Sequence, residues 1–270
     1  MRYQDDLNKH LSAWKQLHLG ITQAGVFRYR GRDVGHEHIL PVHQGEANLF
    51  DEARAFLPAH PLVSRHRYFH HLNSSQAFAF NLFLPYFDGG PEAAGVLLRA
   101  LGQEGMLAKW ELEDAPDPCE GTNVDALWDS ADGVRTFCEV KLSEDHFGKC
   151  ENDDRHAEKL TSIYSAPLRP HLEPGLLEPV AFFRDYQFYR NVWHMVRAAN
   201  SRLIFLLPRA NTGLWTLLQK LLLGVVPGTR KRITVLAIED VIEALTAYAG
   251  GPAGLRQYAC KLKGKYVIKS

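Results

Sequence analysis

The 270-residue chain has no apolar run long enough, at about 18 residues, to cross a membrane as a helix. Its opening stretch, MRYQDDLNKHLSAW, mixes acids and bases and does not read as a signal peptide. Cysteine is scarce. Cys119, Cys138, Cys150 and Cys260 form no CxxC pair and no zinc spacing, so a reduced, cytoplasmic protein is expected. Net charge is also lacking: 31 basic residues balance 31 acidic ones, which argues against strong sequence-independent DNA binding. Any nucleic-acid contact then needs a local basic surface. There is no GxxxxGK[ST] and no GxGxxG after a strand, which argues against a nucleotide-binding fold. No internal repeat and no low-complexity tract appears.

What is present is an ordinary globular composition, 46% hydrophobic and 23% charged, in a length that suits one large domain. The chain reads as a single domain over 1–270, with an N-terminal extension (1–70), a core (71–250) and a basic C-terminal segment (251–270). Residues 1–20 form a helix with Leu7, Leu11, Trp14 and Leu17 near helical spacing. Short strand-like pieces follow over 21–50. His36, His38 and His43 with Glu37 match no zinc motif. Arg65, His66, Arg67, His70 and His71 read as surface in preference to a phosphate-facing loop. Asn73-Ser74-Ser75 caps a helix over Gln76–Leu84, which Pro85 stops. A second helix covers 92–103, and 106–113 is a strand on which Glu111 and Glu113 share a face. Residues 160–180 hold prolines and look irregular, a lid or connection. Residues 182–199 carry the clearest helical stripe. Residues 202–208 and 232–238 read as buried strands. Glu239 to Ala249 is a helix closed by Gly250-Gly251, and a basic segment ends the chain.

The stretch with most chemistry is 121–148, GTNVDALWDSADGVRTFCEVKLSEDHFG. Val124 to Trp128 reads as a strand, Ser130-Ala131-Asp132-Gly133 as a turn, and Val134 to Leu142 as the returning strand. Side chains alternate across a strand, so Phe137, Glu139 and Lys141 share a face, opposite Cys138, Val140 and Leu142. Asp125 then lies across from the neighbourhood of Glu139. Two carboxylates on adjacent strands can hold a hard cation such as Mg²⁺, and a lysine can orient water or pair with phosphate. Glu113 is a further acidic candidate beside Asp125. On its own the D…ExK pattern is more often a solvated face with a Glu–Lys pair.

Asp125…Glu139-Val140-Lys141 resembles the signature of the PD-(D/E)xK nuclease superfamily. The strings HILP (38–41), NSSQAFAFNLF (73–83), EVKLSEDHFG (139–148) and YQFYRN (186–191) resemble a bacterial restriction-endonuclease-like branch of it. The resemblance covers most of the chain and implies an α/β fold, a mixed sheet flanked by helices in the order α-β-β-β-α-β, with terminal additions. It implies a Mg²⁺-dependent endonuclease, with Mn²⁺ as a substitute, that cuts double-stranded DNA, and a homodimer is expected. Asp125, Glu139 and the Val140 carbonyl would bind the metal, with Glu113 as a further ligand. Lys141 would position water. Gln76, on the first core helix, and Gln187 would assist. Arg190 would reach a phosphate, and Lys261, Lys263 and Lys265 would supply basic surface. The rival is a non-catalytic nucleic-acid-binding or interaction module on the same fold. The complete Asp/Glu/Lys set argues against it.

Overall fold

The computed structural model describes residues 3–151, 153–248, 252 and 254–268. The expected Gly250-Gly251 helix closure lies outside them. Contacts divide the chain into two compact units. One comprises Met1–Leu107, Val140–Ser143 and Ala237–Ser270; the other comprises Ala108–Glu139 and Glu144–Leu236.

In the first unit, the helix Tyr3–Leu19 buries Leu7, Leu11 and Trp14 of the predicted stripe, while Leu17 is exposed, and it ends before Gly20 at φ +65°. Strands β1 (Gly25–Tyr29) and β2 (Arg32–His36) pair antiparallel from Gly25↔His36 to Tyr29↔Arg32. The helix Ser75–Phe87 starts where expected, with the Ser74 hydroxyl accepting from the Ala77 N–H at 3.3 Å. It does not stop at Pro85. A proline in a helix leaves the carbonyl four residues back without its donor. Here that carbonyl belongs to Asn81, and the Tyr258 hydroxyl donates to it at 2.6 Å. Tyr258 lies on the helix Leu255–Tyr266, so a residue remote in sequence carries the helix past its proline. Asn81 is committed on its other atoms too: its Oδ1 accepts from Phe50 N–H at 2.9 Å, and its Nδ2 donates to the Asn48 carbonyl at 3.0 Å.

The second unit is built on a five-stranded mixed sheet in the order β3-β4-β5-β6-β7, where β3 is Leu107–Asp114, β4 Val124–Ser130, β5 Arg135–Val140, β6 Ser201–Leu207 and β7 Ile233–Ala237. The fold is therefore mixed α/β with a restriction-endonuclease-like core, as the element order implies. Strands β4 and β5 form the expected hairpin. Gly133 N–H donates to Ser130 O at 2.9 Å, and Gly133 sits at φ +82°, so a type I turn closes with a left-handed glycine. Val124, Leu127, Phe137, Leu203, Phe205 and Leu207 build one side of the core. Phe188, Tyr189, Val192 and Trp193 of the helix Tyr186–Arg197 build the other.

Two expectations are corrected in this unit. The 160–180 region is not an irregular lid. Leu160, Tyr164, Leu168 and Leu172 recur every fourth residue and enter the core, and helical turns run through Asp154–Lys159, Leu160–Tyr164 and Ser165–Leu168. The 182–199 stripe is not one helix. Pro179–Arg184 and Tyr186–Arg197 are separated at buried Asp185, whose φ −123° and ψ 39° leave the helical region.

The Tyr258 contact is open to test. Tyr258→Phe should destabilise the chain by about 1–3 kcal/mol, because the buried Asn81 carbonyl loses its donor. Denaturant unfolding should show a lower midpoint at unchanged slope; an unchanged midpoint would remove the explanation for the continued helix.

Candidate functional site

The register of the hairpin positions the two acids. Ala126 pairs with Cys138, Leu127 with Phe137, Trp128 with Thr136 and Asp129 with Arg135. One step further along the same register sets Asp125 opposite Glu139, and directly opposed side chains have Cβ atoms about 5 Å apart. Both carboxylates act electrostatically on the buried Cys138 thiol between them in sequence, whose pKa burial already pushes up. The turn end of the hairpin is different. There Asp129 is clamped by Arg135 through two bonds of 2.8 and 2.9 Å, which helps to hold its carboxyl below the usual range.

Glu139 is 1% exposed. A carboxylate so buried needs hydrogen bonds and compensating charge. The helix Tyr186–Arg197 supplies both: Asn191 Nδ2 donates to Glu139 Oε2 at 2.8 Å, and an Arg190 guanidinium nitrogen lies 3.7 Å from the same oxygen. Arg190 is itself only 7% exposed, so it faces the interior beside Glu139. The Arg190 Nε and Asn191 Oδ1 atoms are buried with no hydrogen-bond partner among the described residues, which leaves polar capacity next to the carboxylate. Lys141 follows two residues after Glu139, 4% exposed, on the Val140–Ser143 segment of the first unit.

The other predicted residues fall as follows. Glu113, at the end of β3, has φ +51°, unusual for a side chain other than glycine or asparagine, and its Oε2 lies 3.5 Å from Asn123 Nδ2, two residues before Asp125. Gln187 lies over Gly148: a Cβ added to that glycine would stand 2.4 Å from Gln187 Oε1. With φ +54°, Gly148 is the residue that lets the EVKLSEDHFG string meet the YQFYRN string. In the first unit, Gln76 spends both ends of its amide on the 64–66 loop, accepting from His66 N–H at 2.8 Å and donating to Ser64 O at 3.1 Å. Lys261 and Lys263 are exposed and ion-paired with Glu52 and Glu243. Lys265 is fully buried, its ammonium 2.6 Å from Asn48 O and over the Trp14, Phe50 and Tyr266 rings; burial drives its pKa well down.

Sequence reading missed a second buried carboxylate. Glu120, 1% exposed, accepts from the Tyr186 hydroxyl at 2.8 Å, from Thr122 N–H at 2.9 Å and from the Tyr164 hydroxyl. Burial would raise its pKa, but these hydrogen bonds outweigh it and hold the carboxyl below the usual range. His194 Nε2 lies 4.0 Å away, and burial pushes His194 down to about 4 despite that neighbour. Nothing in PDPCEGT marks Glu120 as interior. The one legible hint was that Tyr186 and His194, two turns apart, share a helix face with Arg190.

Oxygen donors on two adjacent strands suit a hard divalent cation, which keeps several waters and needs few protein ligands. Among the described residues no group of three or more His, Cys, Asp or Glu side chains gathers as a metal site.

A five-stranded mixed sheet flanked by helices is consistent with a restriction-endonuclease-like core. The chain belongs to the family described as Restriction Endonuclease associating with ARP, whose model matches residues 8–267. Neither a curated protein nor a solved structure matches it. No described helix is long and apolar enough to cross a membrane.

Two outcomes follow. Gly148→Ala should cost about 1–3 kcal/mol, since alanine must adopt a left-handed φ and push Gln187 aside; wild-type stability would contradict this packing. The second concerns acid. Unfolded His194 titrates near 6.5 and folded His194 near 4. Between these values the unfolded state binds more protons, so stability falls as pH falls through that window. His194→Phe should flatten that fall by about 2–3 kcal/mol at pH 4; an unchanged slope in denaturant melts would contradict the neutral, buried imidazole.

Proposed function

We propose that the chain is a Mg²⁺-dependent endonuclease of the PD-(D/E)xK kind that hydrolyses phosphodiester bonds in double-stranded DNA. The observation that carries this reading is the hairpin register that sets Asp125 opposite Glu139, with Glu139 fixed from the neighbouring helix by Asn191. Family membership supports it. Asp125, Glu139 and the Val140 carbonyl would hold the cation, with Glu113 a further ligand and Mn²⁺ a substitute. When bound, the ion would acidify water and neutralise charge building on the phosphate.

The chain's own groups have distinct tasks. Asn191 and Arg190 orient the Glu139 carboxylate, so its oxygens need no reorganisation during reaction. Lys141, two residues on, would orient the attacking water or pair with the phosphate as a point charge. The water oxygen bonds to phosphorus while the bond from phosphorus to the 3′ oxygen breaks in line, leaving a 5′-phosphate and a 3′-hydroxyl. Gln187 would bond the water or the substrate. Arg190 would meet a phosphate beside Glu139, and cutting both strands would use a homodimer.

The test is cleavage of plasmid, single-stranded DNA and RNA with Mg²⁺, Mn²⁺ or chelator. Metal-dependent cutting of plasmid should fall by at least about 10²-fold in Glu139→Ala and in Lys141→Ala, with both variants folded, because each removes a group acting at the reacting centre. Retained binding with no cutting of any polymer by the wild type would overturn the enzymatic reading.

A further inference from the structure

The basic surface expected at the C-terminal segment is largely engaged in the folded chain, while another part of the first unit has the character of a nucleic-acid contact. Strands β1 and β2 form a two-stranded ribbon turned by Arg30-Gly31, both at positive φ (+49° and +78°), a two-residue hairpin turn. From Arg28 to Gly35 every residue is exposed. Such a ribbon cannot stabilise itself in water. Its base is therefore anchored: Gly25 N–H donates to Ile39 O at 2.9 Å, and a side chain at Gly25 would strike the Leu40 carbonyl. Phe27 packs against Tyr68 and His71, at ring separations of 5.3 and 5.8 Å.

This exposed element is rich in arginine. Arg28, Arg30 and Arg32 lie on the ribbon, and Arg67 stacks over Tyr68 at 4.4 Å. None of these four has a salt bridge among the described residues, whereas Arg65 pairs with Glu46. The cross-strand partner of Arg28 is Asp33, the single acid on the ribbon. Maintaining an arginine at a left-handed turn position costs stability, which is unexplained by packing at an exposed tip. In a chain of zero net charge this is a local positive concentration.

We propose that the ribbon 25–36, with Arg67 at its base, enters the major groove of a DNA duplex, where Arg28 and Arg32, on opposite faces of the ribbon, and Arg67 contact phosphates. A major groove about 12 Å wide admits a two-stranded ribbon. Guanidinium groups suit phosphate in geometry and charge. The proposal deepens the nuclease reading and rests on it for the choice of duplex as occupant.

The test is anisotropy binding of DNA and RNA duplexes and of single strands, with chelator present, across a salt series. The full chain is compared with Arg28→Ala/Arg32→Ala/Arg67→Ala and with the matching triple lysine variant. Each lost phosphate contact removes about 0.9 from the slope of log affinity against log salt. The alanine variant should therefore lose about 2–3 in slope and at least tenfold in duplex affinity, and the lysine variant should retain most of the slope. A preference for the RNA duplex over the DNA duplex overturns the proposal, because the A-form major groove is too narrow for a ribbon. Unchanged duplex affinity and slope overturn the proposal, as does a loss confined to single strands, or a variant that alters only the association state in sedimentation. Those results leave metal-dependent cleavage and its loss in Glu139→Ala untouched. Arginine-dependent duplex binding by a chain that cuts nothing would keep the ribbon and remove the nuclease.

Discussion

The hydrogen bond from Asn191 to Glu139 is the constraint on which the candidate site depends. It joins the helix Tyr186–Arg197 to the second strand of the central hairpin at 2.8 Å, inside a core where an unpartnered carboxylate would be untenable. Around it the apolar groups agree. Phe137 and Leu127 lie on the sheet face of that carboxylate, and Phe188, Tyr189 and Val192 flank Asn191 on the helix. Packing thus sets the helix against the sheet, and the polar contact fixes one register of it. A buried polar contact of this kind contributes little net stability but penalises alternatives.

The two buried acids of the second unit show how environment separates roles. Glu120 is surrounded by donors from Thr122, Tyr164 and Tyr186, all within the protein, which is the pattern of a structural anion. Glu139 lies opposite a second carboxylate on the hairpin, and two like charges this close disfavour each other. The unpartnered Arg190 Nε and Asn191 Oδ1 atoms lie beside it. Polar capacity left unused in a core is more costly than apolar filling, so its presence beside Glu139 fits a place where something binds.

Much of this was legible in the sequence because it obeys local rules. The alternation of EVKL and the Asp-Gly turn predicted the hairpin, and the structure adds the register that sets Asp125 against Glu139. The stripe of Tyr186, Tyr189, Val192 and Trp193 predicted the helix that covers it. What was not legible depended on partners far away in the chain. Pro85 reads as a stop because the rescue comes from Tyr258. Lys265 reads as a surface cation because nothing local shows that Asn48 and three rings enclose it. Glu120 reads as loop because its two tyrosine donors lie more than forty residues on. Residues 160–180 read as irregular because their prolines outweighed the four-residue spacing of Leu160, Tyr164, Leu168 and Leu172.

The central claim is that Asp125 and Glu139 share one divalent cation. Crystals of the chain grown with Mn²⁺ and measured at the manganese absorption edge test it directly. The account predicts one anomalous peak between the two carboxylates, about 2.1 Å from an oxygen of each. A peak elsewhere, or none with these side chains turned to opposite faces of the hairpin, would contradict it.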